Sequence, residues 1–206
     1  WCEGDYHNTL GRFDQYMLPY LGDLSEEEAL ALVEEFFLAC NRDSDLYPGM
    51  QQGDNGQSMV LGGMLPDGTN GVNRLTHLAL KASEELKVID PKINLRVDKN
   101  TPLALFEEGT RLTRLGLGFP QYENDDVVIP GLEKLGYAPE DARNYVVAAC
   151  WEFIIPGRGM DIPNIGAVPV AGVVDQAIRQ TLLTAKSVED ILTRAGELLR
   201  EKAAAI

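Results

Sequence analysis

The chain has 206 residues, 45% hydrophobic and 24% charged, enough apolar material for one large or two small cores and too much for a disordered tail. Eighteen basic against 32 acidic side chains leave a net charge of -14, and no cluster of positives offsets it, which excludes nucleic acid as a partner. No uncharged apolar run approaches the roughly 20 residues that span a bilayer, so no membrane partner is expected either.

Cys2, Cys40 and Cys150 are an odd set at wide spacing without CxxC, which fits neither a disulfide framework nor a zinc site and points to a reducing compartment. With only His7 and His77 a His-rich metal centre is excluded, and no metal is expected. There is no GxxxxGK[ST], and Gly116-Leu117-Gly118 runs into Phe119-Pro120, which cannot open a helix as a dinucleotide fingerprint must. The chain begins at Trp1 rather than Met and shows no signal peptide, so its amino terminus is expected to lie upstream.

Residues 1–23 carry aromatics and glycines without helical period and read as loop with short extended pieces. Ser25 with Glu28 forms a capping-box pattern, and Leu30, Val33, Phe36, Phe37 and Cys40 continue it as one helical face ending near Asn41. Cys40 reads as a small buried hydrophobe. Residues 43–73 are rich in Gly, Asn, Asp and Gln and are interrupted by one strand, Ser58–Leu61, before Gly62-Gly63, a pair that marks close backbone packing. A helix follows over Arg74–Leu86, then a period-two strand over Ile93–Val97 that should be half-buried, then a helix from Thr101-Pro102 to about Leu115. The spacing predicts a loop over 116–124, short helices over 131–135 and 139–143, and a buried strand over Tyr145–Ala149. A Gly/Pro loop over 156–169 and two helices, about 173–184 and 187–202, close the chain. This alternation is that of an α/β protein, and no linker or repeat divides it.

Cys150-Trp151-Glu152 stands where a buried strand gives way to a loop, the place where α/β proteins display reactive groups. Cys150 and Glu152 are expected to be largely buried and to face one cavity. A carboxylate raises a neighbouring thiol's pKa, so ordinary thiolate nucleophilic catalysis is a poor fit for this pair.

The blocks Gly11–Tyr16, Pro91–Val97, Thr101-Pro102, Gly118–Pro120, Asn124–Pro130, Asp141–Tyr145 and Ala149–Glu152 occur in the order of, and resemble, the glycyl radical enzymes of the pyruvate formate-lyase-like superfamily. The resemblance implies that residues 1–206 are a segment of a single domain, part of a ten-stranded α/β barrel with a cysteine on a central finger loop. It makes Cys150 the thiyl-radical cysteine and Glu152 the carboxylate of the family's Gly-Cys-Val-Glu motif. The thiol then gives up a hydrogen atom rather than a proton, and the carboxylate beside it is no contradiction.

The resemblance further implies that the glycyl radical site lies in an Arg-Val-x-Gly-Tyr motif near the carboxyl terminus, and that motif does not occur here. The chain therefore reads as an internal fragment, inactive alone and marginal in stability, binding no cofactor itself. The radical would sit in the missing part, installed by a radical S-adenosylmethionine activase. Ala149 stands where pyruvate formate-lyase proper has a second cysteine, which argues against acyl transfer. His7, before Gly11-Arg12, falls near the His-Ser pair of dehydratase relatives. Asn164 falls on their aspartate in the register set by Pro156-Gly157, and Asp161 would align only through an insertion. His7, Asn164 and Phe119 are the expected substrate contacts. A core position is the other reading of Phe119, and His77 reads as a structural histidine.

The implied activity is that of a lyase or dehydratase eliminating a group from a small molecule. The alternatives are a radical decarboxylase or carbon-carbon lyase, or a non-catalytic scaffold relative. The implied partners are the small-molecule substrate, the activating enzyme and a second full-length chain in a homodimer. The implied setting is the cytoplasm of an anaerobic bacterium, within or outside a microcompartment.

Overall fold

The computed structural model describes residues 9–41, 57–148, 151–158 and 168–205. Its elements begin with β1 (Thr9–Arg12), a helical turn α1 (Phe13–Tyr16) and a 3-10 turn (Leu18–Leu21). The capping box starts α2 (Glu26–Cys40): Ser25 Oγ accepts the Glu28 N–H at 3.2 Å, and the Glu28 carboxylate accepts the Ser25 N–H at 2.9 Å. Next come β2 (Ser58–Gly62), α3 (Arg74–Leu86), β3 (Lys92–Val97) and α4 (Leu103–Arg114). Asn73 caps α3 by accepting the Leu75 N–H at 2.8 Å.

Two boundaries differ from the sequence reading. Gln121–Asn124, read as loop, pairs as strand β4, and α5 (Asp125–Lys134) begins six residues before the expected 131. Pro130 and the β-branched Val127–Ile129 obscure this helix, but Asn124 accepts the Asp126 N–H at 3.0 Å, and Asp125 and Asp126 suit a first turn. After α6 (Pro139–Arg143), β5 (Val146–Ala148) is buried as expected, but it pairs antiparallel with an unexpected β6 (Glu152–Ile154) rather than joining the main sheet.

The main sheet has the order β1-β2-β3-β4 with every neighbour parallel. Met59, Leu61, Ile93, Leu95 and Val97 point to one face and pack with Val33, Phe37, Leu75, Leu78, Leu105 and Leu112 from α2, α3 and α4. Each such fully buried side chain contributes roughly 1.5–3 kcal/mol relative to exposure. Val60 faces the other way, into a second cluster with Ile129, Leu132, Ala142, Tyr145, Val146 and Val147. β3 is therefore covered on both faces instead of half-buried: its polar residues Asn94 and Arg96 are enclosed under the second cluster rather than left to solvent.

The chain forms two compact units, 1–161 and 162–206. The second contains α7 (Val170–Thr181) and α8 (Val188–Ala203), joined along Val173, Ala177, Ala195 and Leu198. No helix among the described residues is long and apolar enough to cross a membrane.

Gly62-Gly63 is the close approach that its sequence suggested. Gly63 has φ +78°, and a Cβ there would lie 2.5 Å from Arg96 Nε and 2.7 Å from its Cβ. Gly63→Ala combines a strained backbone with displacement of a buried guanidinium. It is expected to destabilise the fold by about 2–3 kcal/mol, read from the midpoint of chemical denaturation.

Candidate active site

The β5–β6 hairpin is registered Val146 to Ile154, Val147 to Phe153 and Ala148 to Glu152. The three residues between Ala148 and Glu152 include Cys150, which lies outside the described residues, as do His7, Asp161 and Asn164. Glu152 opens β6 rather than standing on a loop, and it is half-buried instead of largely buried, following Trp151, which is 51% accessible. The Glu152 carboxylate accepts the Trp151 N–H at 2.9 Å, which turns it back toward the preceding residue. Phe119 is 3% exposed and packs in the larger hydrophobic cluster, so its ring serves the core there. His77 is at the surface of α3, 2.8 Å from Glu108. Cys40 is buried, and burial with Asp90 nearby pushes its thiol up to about 11, as befits an inert core cysteine.

Beneath the hairpin lies a polar cluster that the sequence reading did not assign. Arg96, 0% exposed, donates from Nε and Nη2 to the two carboxylate oxygens of Asp125, both at 2.9 Å, and from Nη1 to the Tyr145 carbonyl at 3.0 Å. Its guanidinium carbon also sits 3.9 Å from the centre of the Tyr145 ring. Tyr145 Oη donates to Asp125 Oδ1 at 2.7 Å, and the Met64 N–H donates to Oδ2 at 2.6 Å. Burial among these charges raises the Tyr145 phenol above its ordinary range.

Two further groups extend the cluster. Arg12 donates to the Gly62 carbonyl at 2.9 Å, and burial together with Arg96 lowers its pKa to about 10. Asp14 accepts from the Gly62 N–H at 2.6 Å, from Thr76 Oγ1 at 2.6 Å and from Gln15 Nε2 at 2.8 Å, and burial pushes its carboxyl up despite these bonds. Arg12 and Asp14 thus bind β1 and α1 to the end of β2, and Thr76 brings in the start of α3.

Glu123 stands beside Arg96 in register on β4, 2% exposed, with neither carboxyl oxygen hydrogen-bonded among the described residues. Burial, opposed by Arg96, raises its pKa to about 8. The folded chain therefore keeps a proton that the unfolded chain releases above an ordinary carboxyl pKa. Stability is full at pH 4–5, falls as pH rises, and the loss is complete above about pH 8. Glu123→Gln is expected to flatten this fall, making the variant about 2–3 kcal/mol more stable than the parent at pH 8.5 and equal near pH 4.5. Denaturant unfolding at the two pH values checks it.

A family model described as Pyruvate formate lyase-like matches residues 3–189. The isethionate sulfite-lyase of Oleidesulfovibrio alaskensis is 29% identical over 160 residues, 72% of this chain and 19% of that protein. The (2S)-3-sulfopropanediol dehydratase of Klebsiella oxytoca is 30% identical over 162 residues, 73% of this chain and 20% of that protein. Among solved structures, the glycerol-bound B12-independent glycerol dehydratase of Clostridium butyricum aligns with a TM-score of 0.71 at 26% identity, over 91% of this chain and 26% of that one. The chain spans about a fifth of the length of these curated relatives. With its parallel sheet, flanking helices and packed hairpin forming part of an α/β barrel, the chain belongs to the pyruvate formate lyase-like family of glycyl radical enzymes.

Proposed function

We propose that the protein carrying this chain is a glycyl radical lyase that eliminates a group from a small hydroxylated substrate, with Cys150 as the thiyl-radical cysteine and Glu152 as the base. The observation that carries this reading is the β5–β6 hairpin, whose register leaves Cys150 within the three-residue connection that ends at Glu152. The names of the relatives, a sulfite-lyase and two dehydratases, favour elimination over decarboxylation.

A glycyl radical elsewhere in the full-length protein, installed by a radical S-adenosylmethionine activase, would supply the unpaired electron. The Cys150 sulfur takes a hydrogen atom from a substrate carbon, breaking a C–H bond and forming S–H. Glu152 accepts the proton of the neighbouring hydroxyl, the leaving group departs with its electron pair, and Cys150 returns the hydrogen atom to the product radical. The apolar packing around β5 keeps water from the root of the hairpin. We place the reaction in the cytoplasm of an anaerobe, in a homodimer of the full-length chain.

The test is anaerobic activation of the full-length protein, with the glycyl radical followed by electron paramagnetic resonance. Glycerol, (2S)-3-sulfopropanediol and isethionate are then supplied separately. Consumption of one of them with release of water or sulfite is expected; a stable radical with none consumed would sink the elimination reading.

A further inference from the structure

The structure assigns to Arg96, Asp125 and Tyr145 the role of a positioning clamp that fixes the β5–β6 hairpin, and through it the distance over which Cys150 and Glu152 meet substrate. The inference rests on the proposed role of that hairpin.

A two-stranded hairpin with three paired positions on each strand is not stable by itself and takes its orientation from what it packs on. Here both of its strands are referred to Tyr145, which the Arg96 guanidinium holds. Tyr145 immediately precedes β5; its carbonyl and its ring both contact Arg96, and its hydroxyl returns to Asp125. The same ring meets Phe153 of β6 edge-on, with centroids 5.4 Å apart and planes at 86°. Asp125, at the first position of α5, is held by the two-pronged Arg96 contact and by the Met64 N–H. The cluster therefore closes on itself: side chain to side chain from Arg96 to Asp125 to Tyr145, and side chain to backbone from Arg96 to Tyr145.

Stability alone does not call for such an arrangement, since apolar side chains of similar volume serve as well as a buried ion pair. What the closed set of directional bonds adds is a single orientation for the chain leaving Tyr145. Atom transfer between groups in near contact is sensitive to that orientation, because a displacement of about 1 Å can cost about 100-fold in rate.

The experiment uses the full-length protein. Tyr145→Phe removes only the bond to Asp125, and Phe153→Leu removes the ring contact at a partly exposed position where folding is not threatened. Two readouts are taken. In radical-free protein, alkylation of Cys150 by N-ethylmaleimide is followed by peptide mass spectrometry, with the buried Cys40 as internal reference. In activated protein, radical yield, kcat and KM are measured with whichever substrate the parent consumes.

Tyr145→Phe is expected to alkylate Cys150 several-fold faster than the parent at unchanged Cys40 labelling, to keep its radical yield, and to lose about 10- to 100-fold in kcat with KM held. Phe153→Leu should move both readouts in the same direction by less. If both variants alkylate and turn over as the parent does while only the melting temperature falls, the cluster is structural and the clamp is overturned. The alkylation arm does not depend on radical chemistry: faster labelling with an active Cys150→Ser would overturn the proposed function and leave the clamp on the hairpin intact.

Discussion

Cys150→Ser in the activated full-length protein is expected to leave the glycyl radical visible by electron paramagnetic resonance and to abolish turnover. A serine O–H bond is too strong to pass its hydrogen atom onward at a useful rate, whereas the size and shape of the side chain barely change. Storage of the radical is thereby separated from its use. Glu152→Gln tests the second role in the same assay. The amide fills the space of the carboxylate but cannot take a proton, a function usually worth about 10²- to 10⁴-fold, so the radical should persist while most of the rate is lost. Substantial activity in Cys150→Ser would make the relationship to radical lyases one of fold and ancestry alone. Full activity in Glu152→Gln would instead mean that the elimination needs no base there, and decarboxylation or carbon-carbon cleavage would move ahead.

The second large effect is on stability. Asp125→Ala strands the Arg96 guanidinium, which is wholly buried, and also removes the acceptor of the Tyr145 hydroxyl. Removing one partner of a buried pair costs about 3–5 kcal/mol, because the remaining charge is neither solvated nor compensated. Asp125→Asn keeps an acceptor and should lose less. The paired change Arg96→Met with Asp125→Leu should recover much of the loss, since neither member of the pair then leaves its partner uncompensated. A double-mutant cycle on denaturation midpoints measures the coupling directly; single losses that simply add would show that the two residues act independently.

Local chemistry made much of the fold legible. The Ser25 cap fixed the start of α2, Arg74–Leu86 coincides with α3, and the period-two run led to β3. What escaped was set by distant parts of the chain. β4 is a strand because β3 offers it a parallel partner, and nothing within Gln121–Asn124 announces that. The covered polar side of β3 depends on α5, α6 and the hairpin closing over it. Cys150 and Glu152 are proposed on sequence alone, because they stand two positions apart and match a family motif. The Arg96 cluster joins residues 29, 20 and 49 positions apart, so its members look like ordinary surface charges until the sheet assembles. Arg96 alternates with Ile93, Leu95 and Val97 on the polar side of a period-two strand, so its sequence position reads as solvent-facing. Glu123 reads the same way, since a charged residue near the end of an apparent loop is usually solvated.

The contact between Gly63 and Arg96 also constrains how the family can vary. A side chain at position 63 would lie 2.7 Å from the Cβ of residue 96 as well as 2.5 Å from the Arg96 Nε, so position 63 stays glycine whichever side chain stands at 96. Shortening the residue at 96 in turn leaves Asp125 an enclosed anion without its cation. A lineage leaving this arrangement would have to alter two separated positions, 96 and 125, almost at once, with an uncompensated charge at the intermediate. Sequences should therefore fall into discrete groups at 96 and 125, either arginine and aspartate together or an uncharged pair, with glycine kept at 63 in both and mixed combinations rare.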